Sequence, residues 1–394
     1  MKRNEFLKMC GLLGISLPLQ SVLSSCSSSN ISSNNNPPES VIIIGAGAAG
    51  MAAGHLLAQQ GIDFKILEAT STYGGRMKHN TSFVDFPIPL GAEWLHVNPS
   101  IFSEIINDNS TNIDITTVGY NSSLDFGIDA EDGEQITLSE IGLVIDRKFA
   151  NSTWLSFFET YVLPSVASKI IYNSPITNID YSSDAVVVTD TDGQEYNAEK
   201  LIVTIPLKIL QNGSVNFNPQ LPNNKQNAIN DATVWSGFKA FIEFSNKFYP
   251  TFISYTTTPE TAGQKLYYDA SYGQNSIQNV LGLFSVGTEA ETYINLNSDS
   301  ERIDFMLNEL NAVFNSNIAS SSYIQHTFQN WNAEPYADGA YVYDYESFNR
   351  VYRLGQSVNN KVYFAGDAYT TGNDWGSVHA AARSAKRAVQ EMIS

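Results

Sequence analysis

Three glycines in the stretch VIIIGAGAAG, Val41 to Gly50, are spaced to hold a pyrophosphate. In a strand–turn–helix unit, Gly45 permits the tight turn, Gly47 lets the backbone approach the phosphates, and Gly50 lets the helix pack close to the strand. The helix N-terminus, at Ala48 and Ala49, then offers amide donors to the anion. Glu68 lies 18 residues beyond Gly50, at the end of the next apolar run, where a carboxylate accepts from a ribose hydroxyl. The glycine pattern alone is a weak signal; with the strand, helix and acid correctly spaced it is a strong one. Gly74-Gly75-Arg76 follows, with a guanidinium available to a diphosphate.

Other groups suited to chemistry lie far along the chain. Lys239 stands in FKAFIEF, where Phe238, Ala240, Ile242 and Phe244 alternate with Lys239, Phe241 and Glu243 on the other face. A lysine so placed is ordinarily a solvated outward residue. His96 and His379 are isolated histidines, ordinarily packed or solvated, yet able to exchange protons near neutral pH. Glu93 either contacts a cationic ligand or faces solvent.

These residues need a scaffold. Val41 to Ala69 reads as strand, turn, helix, strand. Ser174 to Leu210 reads as a β-meander returning to the first sheet. The 394 residues suffice for one large or two modest domains, with 43% hydrophobic and 16% charged content typical of folded proteins. A net charge of −18 argues against nucleic acid and mildly favours cationic ligands.

The chain begins with a charged MKRNEFLK and a short apolar run, too short to span a bilayer, which reads as an export signal over residues 1–25. Leu23-Ser24-Ser25-Cys26 resembles a bacterial lipobox, so the expected location is periplasmic or cell-surface, lipid-anchored at Cys26. Arg3-Asn4-Glu5-Phe6-Leu7-Lys8 resembles a twin-arginine signal whose second arginine is asparagine, which leaves the export route open. Residues 26–38 form a polar tether. The only cysteines are Cys10 and Cys26, so the folded body has no disulfide, thiolate nucleophile or cysteine metal site, and its histidines show no metal-ligand spacing.

Glu68-Ala69 followed by Gly74-Gly75-Arg76 resembles the flavin-dependent amine oxidase family, which includes monoamine, polyamine and L-amino-acid oxidases and the flavin histone demethylases. Thr70 and Thr72 stand where many members carry arginines. The resemblance continues in PLGAEWLHV (Pro89 to Val97), WNAEPYADGAY (Trp331 to Tyr341), and VYFAGDAY followed by GSVHAAARSAKRAV. It implies an α/β fold: a Rossmann-like FAD domain of the glutathione-reductase type, interwoven with a sheet-plus-helix substrate domain. The expected FAD domain is discontinuous, 39–97, 174–232 and 350–394, with 98–173 and 233–349 forming the substrate domain. Residues 98–173 are short for a cap and are expected as a trimmed helical one.

By the same resemblance FAD is held by Gly45, Gly47, Ala48, Ala49, Gly50, Glu68, Ala69, Gly75 and Arg76. Gly91, Ala92, Glu93 and Trp94 pass the flavin, with Ile176, Trp331, Gly366, Asp367, Ser377 and Val378 completing the site. Lys239 matches a family lysine that contacts the flavin through water, and His96 a histidine placed near the amine in polyamine oxidases; both are the expected catalytic residues. Ser377 replaces an aromatic wall of the amine cage, with Trp375 two residues earlier, and Asp367 replaces the usual glutamate. Ala340 lies where mammalian-type monoamine oxidases carry a flavin-linked cysteine, so FAD is expected to be non-covalent.

The expected reaction is oxidation of a small cationic amine to imine and aldehyde, with molecular oxygen or another acceptor taking the electrons and hydrogen peroxide produced. GAEWLHV lacks the Gly-x-x-Arg clamp of L-amino-acid oxidases, which remain the nearest alternative. A carotenoid-type desaturase would need a larger apolar cap. A surface lipoprotein binding FAD without turnover is the alternative from another class.

Overall fold

The computed structural model describes residues 38–256, 263–343, 348–370 and 374–394. The expected signal, the tether up to Pro37 and the anchor at Cys26 lie outside the described residues.

Ser40–Ile44 carries the sequence SVIII, whose apolar residues all lie buried, as a strand covered on both faces requires. It sits at the centre of a five-stranded parallel sheet ordered Val362–Phe364, Lys200–Val203, Ser40–Ile44, Asp63–Leu67, Ile170–Ile171. Val41 and Ile43 point into one core, shared with helices Ala48–Gln60 and Val378–Ile393. Ile42 and Ile44 point into a second, covered by the antiparallel meander Ile176–Asp180, Val186–Asp190, Glu195–Ala198. The meander leads directly into Lys200–Val203 beside the first strand, as the sequence suggests.

The second body is built on a seven-stranded sheet ordered Tyr323–Asn330, Gly237–Phe244, Asn279–Gly287, Gly263–Asp269, Phe252–Ser254, Gly127–Asp129, Gln135–Ile136. Every residue of Gly237–Phe244 is buried, because both faces of this strand are covered. Phe238, Ala240, Ile242 and Phe244 pack with helix Asp299–Val313, while Phe241 packs with Phe86, Leu90 and Trp94. Lys239 therefore points into the protein, not into solvent.

The segment 98–173 is not a helical cap. Helices Ile101–Ile106 and Trp154–Tyr161 bury Phe102, Ile105, Ile106, Trp154, Phe157 and Phe158 in the core beside helix Ala48–Gln60. Their apolar residues recur at helical spacing and need an apolar surface, which that helix layer offers. Ile170–Ile171 supplies the fifth parallel strand, and Gly127–Asp129 with Gln135–Ile136 extends the seven-stranded sheet. The stretch thus contributes to both bodies.

Candidate active site

The glycine turn is built as its spacing demands. Gly45 has φ +101°, a backbone region that favours glycine, and a Cβ on Gly50 would lie 1.8 Å from the Gly45 carbonyl oxygen. Gly47 is different: a Cβ there would meet no protein atom within 4 Å, because that side opens into a cavity. Helix Ala48–Gln60 starts at Gly47 with no side-chain cap and no acidic residue in its first turn. Its first amides are left for an anion.

The cavity has a volume of about 860 Å³, at the upper end of ligand sites. All the residues expected to bind the cofactor line it except Gly50, which lies beneath, between helix and strand. Lys239 and His96 line it too. An open face at Gly47, free helix amides and a cavity of this size fit a dinucleotide, with Gly45, Gly47, Ala48 and Glu68 at one end.

Glu68 ties the turn together. One oxygen accepts from the Ala46 N–H at 2.7 Å, the other from the Thr70 N–H at 2.9 Å and hydroxyl at 2.8 Å. The oxygen that accepts from Ala46 keeps one further acceptor site, and the side chain lines the cavity. Thr70, which replaces an arginine, thus holds the carboxylate instead. Arg76 donates to both oxygens of Asp367, at 3.1 and 2.5 Å, and to the Ala340 carbonyl. The guanidinium expected on a diphosphate therefore pairs first with the Asp367 carboxylate, clamping two cavity walls 291 residues apart. Trp331 is fixed by its indole N–H donating to the Leu90 carbonyl at 3.0 Å. Ser377 caps helix Val378–Ile393, accepting from the Ala380 N–H at 3.2 Å, which explains a small hydroxyl residue there.

Lys239 uses all three of its protons on the chain. It donates to the Pro89 carbonyl at 2.8 Å, the Gly91 carbonyl at 3.1 Å and Glu93 at 2.7 Å. Glu93 also lies 3.3 Å from Lys148 and accepts from the Tyr268 hydroxyl. Glu93, Lys148 and Lys239 are all buried. Burial opposes the Glu93 charge, but the two ammonium groups outweigh it and hold the carboxyl below its ordinary value. Burial pulls Lys239 below the usual lysine range, against the attraction of Glu93. Three acceptors around one nitrogen require the ammonium form. Lys239 thus fastens the segment Pro89–Glu93, and Glu93 is a buried counter-ion, not a solvent-facing residue.

His96 accompanies this cluster. Leu95 and Arg147 exchange backbone hydrogen bonds of 2.9 and 3.0 Å, an antiparallel bridge that sets His96 beside Asp146. The imidazole Nδ1 lies 3.0 Å from Asp146, and 42% of the side chain remains accessible from the cavity. Surrounding protein opposes its charge, but Asp146 and then Asp374 outweigh this and raise its pKa above the ordinary value. His379 is buried, its Nε2 within 3.1 Å of both Asp374 and the Ser377 hydroxyl.

Sequence reasoning missed Asp146, Lys148, Tyr268 and Asp374. Asp146-Arg147-Lys148 looks like a solvated charge run, although its alternation puts Asp146 and Lys148 on one side and Arg147 on the other. Nothing in the sequence marks Tyr268 as the Glu93 partner.

A parallel sheet with a glycine turn, a meander layer and a cavity shared with a second sheet defines an FAD-binding α/β oxidoreductase. The model of the flavin containing amine oxidoreductase family matches residues 164–393, and that of the NAD(P)-binding Rossmann-like domain residues 43–107. The chain belongs to the flavin containing amine oxidoreductases, and its cofactor is FAD. It is 29% identical over 201 residues to the mouse lysine-specific histone demethylase 1B, covering 50% of this chain and 24% of that protein. It is 24% identical over 435 residues to rice polyamine oxidase 4, covering 88% of this chain and 87% of that one. The chain spans half the length of the human lysine-specific histone demethylase 2. A putrescine oxidase structure with bound putrescine superposes with a TM-score of 0.71 over 90% of this chain and 99% of that one. At 14% identity this likeness shows the fold alone.

Proposed function

We propose that the chain oxidises a primary or secondary amine, a polyamine or monoamine, at the carbon next to nitrogen. The product is an imine that water hydrolyses to an aldehyde, and molecular oxygen takes up the two electrons and two protons as hydrogen peroxide. FAD, when bound, supplies the two-electron acceptor; the chain binds, orients and handles protons.

One observation carries this reading. Among the described residues, each lysine or arginine lining the cavity is already paired: Arg76 with Asp367, Lys78 with Glu334, Lys239 with Glu93, Lys265 with Glu309. None is left to clamp a substrate carboxylate, so an amine suits the site better than an amino acid. Leu266 and Phe284 stand side by side on one sheet face, with Trp94 among the cavity walls. These apolar walls disfavour an ammonium and promote the neutral amine, whose lone pair the oxidation needs. His96 offers an acceptor for the proton released.

The test is anaerobic mixing of the FAD-loaded protein with putrescine, spermidine, an aromatic monoamine and several L-amino acids. The expected result is bleaching of the flavin absorbance by an amine, with peroxide forming when air returns. Bleaching by amino acids alone, or by nothing in the panel, would overturn the reading. We also place the enzyme outside the cytoplasm on its lipobox-like leader; Cys26→Ala should release it from membranes into the soluble fraction.

A further inference from the structure

We propose that Asp146 is the positioning residue that makes His96 the proton acceptor of the site, by holding the Nδ1 proton so that Nε2 meets the ammonium of the incoming amine. The proposal rests on the amine-oxidation reading above. Its geometry is a product of topology. The Leu95–Arg147 bridge is antiparallel, so the residue after Leu95 faces the residue before Arg147. His96 and Asp146 are thereby brought together, and the ring nitrogen lies 3.0 Å from the carboxylate.

An ionised carboxylate only accepts hydrogen bonds, so in the neutral imidazole the proton between the two belongs to Nδ1. Nε2 then carries the lone pair. Asp146 is 6% exposed and held in place, whereas the ring is open to the cavity that both residues line. The step balances simply: R–NH3+ gives its proton to Nε2, leaving a neutral amine and an imidazolium whose charge Asp146 offsets. The imidazolium later returns the proton to water.

Two carboxylates face the ring from separate elements. Asp146 comes from the loop before strand Arg147–Phe149; Asp374 comes from the segment before the last helix. Asp374 is itself engaged by His379 and Arg383, each at 3.1 Å, so Asp146 is the direct partner. The Glu93–Lys148–Lys239 cluster lies on the other side of the Leu95–Arg147 bridge. Because Asp146 and Asp374 raise the imidazole pKa, neutral Nε2 is available only above a pH higher than that of a free histidine.

The experiment compares wild type, Asp146→Asn and Asp146→Glu as FAD-loaded proteins, each first shown to retain flavin absorbance. Ring 15N shifts of His96, assigned by their loss in His96→Gln, report tautomer and pKa without any turnover. Wild type should show the Nδ1–H tautomer and a pKa above the free value. Asp146→Asn should lower that pKa by about one unit and mix the tautomers, while Asp146→Glu should restore much of both. The acid limb of kcat/KM for flavin reduction should move to lower pH by the same amount, with the substrate's own ammonium limb unmoved. An unchanged His96 titration in Asp146→Asn overturns the dyad. A shifted titration with an unmoved acid limb overturns the proton-acceptor role. Failure of every amine to reduce the flavin would instead sink the activity reading and the source of the proton, while the 15N titration still decides whether Asp146 holds His96.

Discussion

Replacing Glu93 with glutamine tests the central cluster most directly. The side chain is 2% exposed and lies 2.7 Å from the Lys239 nitrogen and 3.3 Å from that of Lys148. Glutamine keeps the shape and an acceptor for the Tyr268 hydroxyl, but leaves two buried ammonium groups without a counter-charge. Breaking a buried ion pair by removing one partner costs about 3–5 kcal/mol, on the order of 10 °C in melting midpoint for large domains. Lys239, already held below the usual lysine range by burial, can reduce the loss by releasing a proton. Its folded pKa then falls further below the unfolded value of about 10.4, so the unfolded chain binds more protons and stability rises more steeply with pH, by at most about 1.4 kcal/mol per unit. Wild type changes in the same direction at the acid end. Glu93 has a depressed folded pKa, so its contribution is complete above the unfolded value near ~4.3 and is lost as pH falls through the folded one. The assay is denaturant unfolding of wild type, Glu93→Gln, Lys148→Met and the double variant, from about pH 6 to 9, at one saturating FAD concentration. Glu93→Gln should be the least stable near pH 6 and recover as pH rises. The double variant should be more stable than the sum of the single losses allows, because it removes charge and counter-charge together. A Glu93→Gln loss under about 0.5 kcal/mol, or a pH-independent loss that adds simply, would refute the argument.

The two glycines of the turn should separate fold from cofactor. Gly47→Ala meets no protein atom within 4 Å, so unfolding of the FAD-free protein should change by under about 0.5 kcal/mol while FAD titration shows at least about tenfold weaker binding, about 1.4 kcal/mol. Gly50→Ala drives a methyl to 1.8 Å from the Gly45 carbonyl oxygen and should reduce both stability and FAD content. Asp367→Asn weakens the clamp on Arg76, whose side chain is 30% exposed; the screened loss is about 1 kcal/mol, read as about fivefold weaker FAD binding. Lys239→Met releases Pro89–Glu93 from its anchor, and stopped-flow should show slower flavin reoxidation, by about tenfold or ~1.4 kcal/mol of barrier. Unchanged rates in both half-reactions would remove Lys239 from the mechanism.

The local part of this site was legible in the sequence because its requirements are local. A turn with φ +101° at Gly45 and a strand–helix contact at Gly50 admit few residues, so residue type and spacing reveal them. The strand Gly237–Phe244 was legible from alternation, but alternation did not say that its second face was also buried. The resemblance pointed to Lys239, His96 and Asp367, yet not to the protein side chains each would pair with.

Those contacts come from the tertiary structure alone. Arg76 meets Asp367 across 291 residues, and Lys239 meets Glu93 across 146. His96 meets Asp146 only because a two-bond bridge aligns Leu95 with Arg147. Residues 98–173 took a different place than expected because their apolar residues found two partner surfaces whose positions depend on the rest of the chain. Sequence fixes what a backbone can do within a few residues. The burial of a charge, and with it the protonation state that gives it a task, depends on neighbours brought together only when the sheets close on each other.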